Sequence, residues 1–232
     1  MPRKIQKEKK LELSPTTGLS LFLECPRCFW LRYRKGVHRP ETIFPSLPSG
    51  MDRILKDYFD SYRGKDGMPP ELEGKVEGKL VPDQELIDKW RNWRSGPRFE
   101  DPELDAVLRG ALDDCLIEGE LYIPLDVKTR GSAPQAGKSE EYYQTQLDCY
   151  AFLLEKMGYK VKDHAYLVYY FPDSVNEEHL VKFNVEVVKL GTSPARVYRI
   201  FADAVKCYHG PIPSSHTECG FCAWYSDLLE YD

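Results

Sequence analysis

Two aspartates and a lysine near the middle of the chain have the residue types and spacing of a metal-dependent hydrolytic site. Asp126 and Lys128 are separated by one residue, so an extended strand places both side chains on the same face. Asp113 precedes them at a distance that allows a neighbouring strand to carry it. Two carboxylates on adjacent strands can share one Mg²⁺ or Mn²⁺ ion, which activates a water and stabilises charge on a phosphoryl group. The lysine can hold the attacking hydroxide or neutralise the transition state.

A glutamine and a tyrosine downstream have the spacing of accessory site residues. Gln146 and Tyr150 are four positions apart, so they share one face of a helix. From there they can orient Lys128 or contact a nucleic-acid backbone. The plain alternatives are a solvated strand for Asp126 and Lys128, and an ordinary amphipathic helix for the other two residues.

Two CxxC pairs, near residues 25 and 220, suggest a second centre. The chain has seven cysteines and its first ten residues lack the apolar core of a secretory signal, so we expect metal ligands rather than disulfides. Four thiolates suit a tetrahedral zinc ion or an iron–sulfur cluster. Such a centre would join segments far apart in sequence, which indicates a structural role. Two unrelated cysteine pairs are the alternative. The candidate ligands are Cys25, Cys28, Cys219 and Cys222, with Cys207 as a substitute for Cys28, whereas Cys115 and Cys149 are expected to be packed thiols.

The elements that must position these residues follow from hydrophobic periodicity and turn signals. The pattern alternates helices with strands and predicts an α/β fold with a mixed sheet. Gly119 marks a hairpin that joins the two strands carrying the acidic residues. Predicted helices cover 16–35 (with Thr16 or Thr17 as cap), 50–63, 83–94, 139–157 and 194–207, and predicted strands cover 105–118, 121–129, 163–171 and 180–190. The helix over 50–63 is predicted to bury Ile54, Leu55, Tyr58, Phe59 and Tyr62.

Composition and charge exclude several classes of protein. With 232 residues, 42% hydrophobic and 30% charged, the chain suits a globular fold and excludes wholesale disorder. The absence of a long apolar run predicts no membrane span and a cytoplasmic location. A net charge of −5 is unlike a protein coated in basic surface, although the first 40 residues carry ten Lys/Arg against three Asp/Glu. Trp90 and Trp93 alternate with Arg91 and Arg94, which suits either base stacking or a core helix.

Together these motifs resemble a known family. GALDD (110–114), LDVKT (125–129) and QLDCY (146–150) resemble motifs II, III and QxxxY of the RecB-like branch of the PD-(D/E)xK nuclease superfamily. CPRCFW (25–30) and CGFC (219–222) resemble the flanking cysteines of its iron–sulfur members, which include CRISPR-associated RecB-like exonucleases and AddB-type helicase–nucleases. The resemblance covers roughly residues 20–225.

The resemblance implies a fold and a role for each site residue. The fold would be a restriction-endonuclease-like core, a mixed β-sheet flanked by helices, with the N- and C-terminal segments joined by the cysteine site. A basic tail over 1–15 would precede a single nuclease domain over 16–232, with cysteine-bearing segments at 16–35 and 208–225. The four cysteines would hold a 4Fe-4S cluster, although the family usually places one cysteine early and three late, which keeps Zn²⁺ open. The implied roles are metal ligation by Asp113, Asp126 and the Val127 carbonyl, catalysis by Lys128, and support by Gln146 and Tyr150.

Two positions are left open by the motifs. Asp114 competes with Asp113, and the spacing from Gly110 favours Asp113 while strand parity does not settle the choice. Many relatives carry a His or Glu ligand on the first core helix, but here Asp52 is the nearest acid. Asp57 and Asp60 are the alternatives.

The expected activity is hydrolysis of phosphodiester bonds in DNA by a Mg²⁺- or Mn²⁺-dependent exonuclease acting on single-stranded ends. A helicase or an integrase-type protein would be its partner. Because the usual first-helix ligand is missing, a catalytically weak DNA-end-binding or partner-docking module of a DNA repair or CRISPR adaptation complex is the alternative. A metal-stapled interaction protein without a nucleic-acid role is the third.

Overall fold

The structure is a computed structural model that describes residues 10–40, 46–65 and 67–231. Its contacts divide the chain into two compact units. The first unit comprises residues 1–40, 98–109 and 199–232, and the second comprises residues 41–97 and 110–198.

Helices and strands alternate along the described chain. In chain order they are β1 (Leu11–Leu13), a π-helical turn (Pro15–Ser20), α1 (Leu21–Glu24), α2 (Pro26–Lys35), α3 (Ser46–Asp60), β2 (Lys79–Leu80), α4 (Gln84–Arg91), β3 (Arg98–Asp101), β4 (Ala106–Arg109), β5 (Asp114–Glu118), β6 (Leu121–Thr129), α5 (Lys138–Lys156), β7 (Lys160–Val161), β8 (His164–Val175), β9 (Val181–Gly191), α6 (Pro194–His209) and α7 (Gly220–Leu228).

A six-stranded mixed sheet forms the centre of the second unit. Its strand order is β2-β5-β6-β8-β9, with β7 also paired to β6. The predicted hairpin around Gly119 joins β5 and β6 as antiparallel neighbours, while β6 and β8 run parallel. This sheet confirms the predicted α/β class.

Helices cover both faces of that sheet. The α3 side buries Leu55 and Phe59 against Leu125 and Val168. On the α5 side, Leu147 packs with Leu167 and Trp90 among other side chains. Strand β6 is therefore enclosed on both faces at its centre, which is why the side chain of Asp126 is buried.

The first unit contains a small three-stranded sheet in the order β1-β4-β3. Strand β1 pairs in parallel with β4. Its residues Leu11 and Leu13 point to the same side of the strand, and both are buried. Strand β1 therefore lies inside the segment predicted to be a basic tail over 1–15, whose first nine residues lie outside the described part. The helices of this unit are α1, α2, α7 and α6 from Arg199 onward.

The helix predicted over 16–35 is broken in two. Cys25 adopts an extended backbone with φ −158° and ψ 101° between α1 and α2. The cause is Pro26, which lacks a backbone N–H and disfavours the α conformation in the residue before it. The cap predicted at Thr16 or Thr17 is also wrong, because Ser14 occupies the N-cap position of the π-helical turn.

The strand predicted over 105–118 is two strands in different sheets. Strand β4 belongs to the small sheet, and β5 belongs to the large one. The break falls at Gly110, where an added Cβ would lie 3.0 Å from Leu153 Cδ1 of α5. Residues 110–113 thus leave the sheets and carry Asp113 as a loop residue rather than a strand residue.

Two apolar residues differ from their predicted environment. Ile54 on α3 is 56% exposed, because the helix turns Leu55 and Phe59 toward the sheet. Trp90 is fully buried, as the core interpretation of α4 predicts, whereas Trp93 lies beyond the end of that helix and is 56% exposed. None of the described helices has the length and apolar content that crossing a membrane requires.

Candidate active site and cysteine centre

Strand β6 places Asp126 and Lys128 side by side in the interior of the second unit. The side chain of Asp126 is fully buried, and Lys128 Nζ lies 2.5 Å from Asp126 Oδ2. Despite this ion pair, Oδ2 accepts no hydrogen bond of normal geometry from any described residue. The Lys128 ammonium is therefore the charged group that contacts this oxygen.

Helix α5 supplies the amide and the hydroxyl that hold this pair. Gln146 Nε2 donates to Asp126 Oδ1 at 3.0 Å and to the Tyr150 hydroxyl at 2.6 Å. Lys128 Nζ donates to Gln146 Oε1 at 3.2 Å, so the glutamine bridges the acid and the lysine. The Tyr150 hydroxyl donates a longer bond, 3.5 Å, to Asp126 Oδ1. The predicted sharing of one helical face by Gln146 and Tyr150 thus brings both to the acid.

Asp113 reaches the same place from the loop before β5. Its side chain is 21% exposed, and the Val127 amide donates to Asp113 Oδ2 at 3.4 Å. Its carboxylate is close enough to Asp126 to raise the pKa of that residue. The structure therefore brings the two predicted acids, the Val127 peptide and Lys128 together.

Burial and neighbouring charges set the protonation of the pair. Burial raises the pKa of Asp126, Lys128 lowers it, Asp113 raises it further, and the net value is about 7. Burial alone would lower the pKa of Lys128, but the attraction of Asp126 and Asp113 outweighs it and raises that pKa. Asp126 is consequently a carboxyl group that titrates near neutrality, while Lys128 stays charged.

The donor set fits a hard divalent cation. Asp126 Oδ2 is a buried oxygen without a hydrogen bond from any described residue, and the Asp113 carboxylate faces the same site from its partly exposed loop. Such carboxylate oxygens are the ligands that Mg²⁺ and Mn²⁺ prefer. Asp113 and Asp126 could therefore hold such an ion.

Asp114 has a different environment from Asp113. It is buried, and its Oδ2 lies 2.7 Å from Arg63 Nη2 and 2.9 Å from Arg91 Nη2. Both arginines also bind Asp60, one of the alternative third ligands. The carboxylates of Asp114 and Asp60 are thus engaged by Arg63 and Arg91, and the charges of these arginines compensate theirs.

The first core helix places a lysine between Asp52 and Asp113. Lys56 Nζ lies 2.8 Å from Asp52 Oδ2 and 3.1 Å from Asp113 Oδ1. Among the described residues, Asp52 does not join Asp113 and Asp126 in a group whose ligand atoms all lie within 4.8 Å of one another. Asp57, the remaining alternative, is exposed on α3.

Sequence reasoning missed Lys56, although a signal was present. Its position four residues after Asp52 predicts an ion pair on one turn of a helix. The contact of Lys56 with Asp113 joins residues more than 50 positions apart, so no local sequence pattern predicts it.

The four predicted cysteines form one cluster in the first unit. The Sγ atoms of Cys25, Cys28, Cys219 and Cys222 all lie within 4.8 Å of one another, and all four residues are buried. The Cys25–Cys222 and Cys28–Cys219 sulfur pairs are each 3.7 Å apart. The cluster therefore has the composition of a metal site.

The local fold explains how two distant CxxC pairs converge. Cys25 and Cys219 occupy the N-cap positions of α2 and α7. Because one helical turn separates the cysteines of each pair, Cys28 lies close to Cys25 and Cys222 lies close to Cys219. Helix N-termini also favour thiolates. Although burial opposes ionisation, backbone N–H groups of α7 and the neighbouring thiols lower the pKa of Cys219 to about 7. Burial raises the pKa of Cys28 to about 12 and also raises the pKa of Cys222.

The other cysteines and one arginine complete the description of the centre. Cys207 is not part of the cluster, whereas Cys115 and Cys149 are buried free thiols, as predicted. Arg39 Nη2 donates to Cys219 Sγ at 3.4 Å, a contact between residues 180 positions apart that no local pattern predicts. This arginine adds positive charge beside the thiolates.

The family follows from a comparison along the chain. A family model described as the PD-(D/E)XK nuclease superfamily matches residues 12–226. The chain belongs to the PD-(D/E)XK nuclease superfamily. Membership in this superfamily indicates a metal-dependent nuclease, a hydrolase that acts on nucleic acid with divalent metal.

The chain was also compared with curated proteins and with solved structures. Comparison with curated proteins finds no match. A solved structure titled "Crystal structure of SSO0001" has 15% sequence identity and a TM-score of 0.46, with 96% of this chain and 88% of that chain covered.

Proposed function

We propose that this PD-(D/E)XK protein is a Mg²⁺- or Mn²⁺-dependent deoxyribonuclease of the RecB-like branch, acting as an exonuclease on single-stranded DNA ends. The observation that carries the proposal is Asp126, whose buried Oδ2 lies beside Lys128 with Asp113 close by. Burial raises the pKa of Asp126 to about 7. Acids with strongly shifted pKa values are concentrated at functional sites, which supports a site here.

The chain's own residues can perform distinct parts of phosphodiester hydrolysis. A divalent ion held by Asp113 and Asp126, with the Val127 carbonyl as a further ligand, would supply Lewis-acid activation of water and charge neutralisation. Lys128 would hold the attacking hydroxide or neutralise charge on the phosphate oxygens. Gln146 would fix Lys128 and Asp126 relative to each other through its two polar atoms, and Tyr150 would fix Gln146.

Aromatic side chains support a single-stranded substrate. Lys128 Nζ lies 4.9 Å from the centre of the Tyr143 ring, and neighbouring Tyr142 is 56% exposed. Outside the site, Arg94 stacks over the exposed Trp93 ring at 4.9 Å. Unpaired bases stack on such rings, and the added cations suit the backbone.

The test is cleavage of end-labelled and circular single-stranded DNA, with a matching duplex, in Mn²⁺ and in EDTA. The proposal predicts Mn²⁺-dependent shortening of linear single strands, little cleavage of circles or duplex, and loss of more than about 100-fold in rate for Asp126→Ala. Equal cleavage by wild type and Asp126→Ala would disprove the site assignment. Cleavage of circular DNA would disprove the exonuclease part of the proposal and would leave the metal-dependent nuclease site standing.

One observation favours a catalytically weak DNA-end-binding or partner-docking module as the second candidate. Asp52, the nearest acid on the first core helix, is tied to Lys56 rather than grouped with the other two acids. DNA binding that does not depend on metal, together with no cleavage by the wild type, would favour this candidate.

For the cysteine centre, the sulfur spacing supports Zn²⁺, the alternative to the 4Fe-4S cluster. A tetrahedral ion with Zn–S bonds of about 2.3 Å separates its sulfurs by about 3.8 Å, and two sulfur pairs here are 3.7 Å apart. A 4Fe-4S cluster places eight atoms among the thiolates and needs wider spacing. We therefore propose one structural zinc ion.

The cysteine cluster and the exposed apolar side chains of α7 bear on the protein's location and partners. Four free thiols in one buried cluster suit a reducing compartment, which supports a cytoplasmic location. Exposed apolar side chains on α7, such as Phe221 and Trp224, support a protein partner. A helicase or integrase-type partner, in DNA repair or CRISPR adaptation, comes from the family resemblance alone.

A further inference from the structure

Lys56 is a charged residue of the candidate site that has no role in the function proposed above. Its ammonium group bridges two carboxylates, at 2.8 Å from Asp52 Oδ2 and 3.1 Å from Asp113 Oδ1. The side chain is only 26% exposed, so solvent screens these contacts incompletely. Lys56 therefore neutralises the α3 side of Asp113.

The two lysines of the site contact different acids. Lys128 pairs with Asp126 on β6, and Lys56 pairs with Asp113 from α3. The two oxygens of Asp113 also have different neighbours, since Oδ1 faces Lys56 whereas Oδ2 faces the Val127 amide. A divalent ion that uses Oδ2 together with Asp126 can bind without displacing Lys56.

A second ion would meet a different environment. Some nucleases use two ions, and the second one here would have to bind Asp113 through Oδ1 with Asp52 as its other carboxylate ligand. The Lys56 ammonium already contacts both of these oxygens. Lys56 contacts both carboxylates of this second position, whereas Lys128 pairs with only one of the two acids of the first, so a second ion would have to displace Lys56 against the repulsion of its charge.

We propose that Lys56 is a positioning residue that takes the place of a second metal ion, so that the site binds one divalent ion, shared by Asp113 and Asp126. This inference rests on the proposed function, because it concerns the same site. It also explains why Asp52 lies apart from the two metal-binding acids: its partner is the lysine.

The test is the number of Mn²⁺ ions bound per chain, measured by isothermal titration calorimetry and by the Mn²⁺ signal in electron paramagnetic resonance. The full chain is used with its cysteine centre intact. Wild type is expected to bind one ion, and Lys56→Gln is expected to bind two, because Asp52 and Asp113 lose their neutralising partner. Lys56→Arg keeps the charge and should bind one ion. Lys138→Gln, which removes a lysine from an exposed ion pair on α5, is the matched control and should bind one ion.

Each outcome decides the inference. Two ions in wild type, or one ion in a folded Lys56→Gln variant, would overturn it. If Lys56→Gln does not fold, the wild-type and Lys56→Arg stoichiometries still decide, since two ions in either would overturn the inference. A wild type that binds no Mn²⁺ overturns this inference and the proposed function together. A wild type that binds one ion but cleaves no DNA contradicts only the proposed function.

Discussion

Asp126 is an acid buried beside a lysine, and its protonation controls what the site can bind. A carboxyl group with a pKa of about 7 holds a proton below neutrality, and that proton competes with a metal ion for the same oxygens. Neutralisation by Lys128 is incomplete because burial opposes both charges. Under the proposed function, metal binding at this residue would therefore be linked to proton loss.

We expect Mn²⁺ affinity to increase with pH up to the pKa of Asp126, which is about 7, and then to level off. One displaced proton gives about a tenfold rise in affinity per pH unit below that pKa. Calorimetry between about pH 6 and about pH 8, in buffers of different ionisation enthalpy, measures both affinity and proton release. Constant affinity with no proton release across this range would contradict the assigned protonation of Asp126.

The neighbours Asp113 and Asp114 should respond differently to the same substitution. Asp113→Asn removes a metal-binding acid that is partly exposed, so cleavage should fall by more than about 100-fold with little loss of stability. Asp114→Asn removes one of the two carboxylates that bind Arg63 and Arg91, while Asp60 remains, and should cost about 1–3 kcal/mol of unfolding free energy. Its folded fraction should still cleave DNA.

Denaturant unfolding and cleavage per folded molecule separate these effects. Because the two variants have the same chemistry at adjacent positions, each is the control for the other. A stable Asp114→Asn protein that cannot cleave would reverse the roles of the two acids.

Sequence reasoning predicted the site residues that share a strand face or a helix face. Asp126 with Lys128, and Gln146 with Tyr150, follow from local periodicity alone. The choice between Asp113 and Asp114 needed partners more than 20 positions away, Arg63 and Arg91. Long-range ion pairs leave no local pattern, which is why this choice stayed open.

At the scale of elements, the break between β4 and β5 matters most for the site. Gly110 lets the chain leave one sheet and pass α5 closely, since a Cβ would lie 3.0 Å from Leu153 Cδ1 and 3.5 Å from the Tyr150 ring. Short apolar runs recur through 105–118, so the sequence pattern predicted one strand. In each sheet, strands pair with partners that are distant in sequence, as β4 does with β1 and β6 does with β8. The hydrophobic pattern of one segment does not indicate such partners.

Gly110→Val should therefore disturb α5 at the residues that hold Asp126. Overpacking against Leu153 and Tyr150 should cost about 1–3 kcal/mol and should lower the cleavage rate of the folded protein. Gly131→Val is the matched control, because nothing lies within 4 Å of a Cβ at that position. Thermal unfolding and cleavage rates measure both effects. Equal behaviour of the two variants would mean that the close approach at Gly110 does not position the helix.

Proline explains the largest difference in helix prediction, and its signal was visible. Pro26 forces Cys25 out of the helix, and this break makes Cys25 the N-cap of α2, where its Sγ accepts a hydrogen bond from the Cys28 amide at 3.4 Å. The CP dipeptide thus indicates both a helix boundary and a metal-ligand position.

At the scale of the whole molecule, the cysteine centre joins segments that are about 190 positions apart in sequence. Thiolate–metal bonds would fix both segments within the first unit, whose described sheet has three short strands. Binding free energy at such a site is also folding free energy.

Metal analysis should find one zinc per chain and no iron–sulfur absorption band in the visible region. Cys222→Ser should lose the zinc and unfold at a lower temperature, because one of four ligands is missing. Cys207→Ser, which alters a cysteine outside the cluster, is the control and should keep its zinc. Stoichiometric iron with a visible band after anaerobic purification would contradict the zinc proposal.

The most direct test of the active-site assignment is anomalous diffraction from crystals of the protein grown with Mn²⁺. The expected result is one manganese peak bonded to Asp113 and Asp126, with Lys128 and Lys56 on their present carboxylate partners and no peak in Asp126→Ala crystals. A manganese peak that avoids Asp126, or none in this site at all, would contradict the assignment.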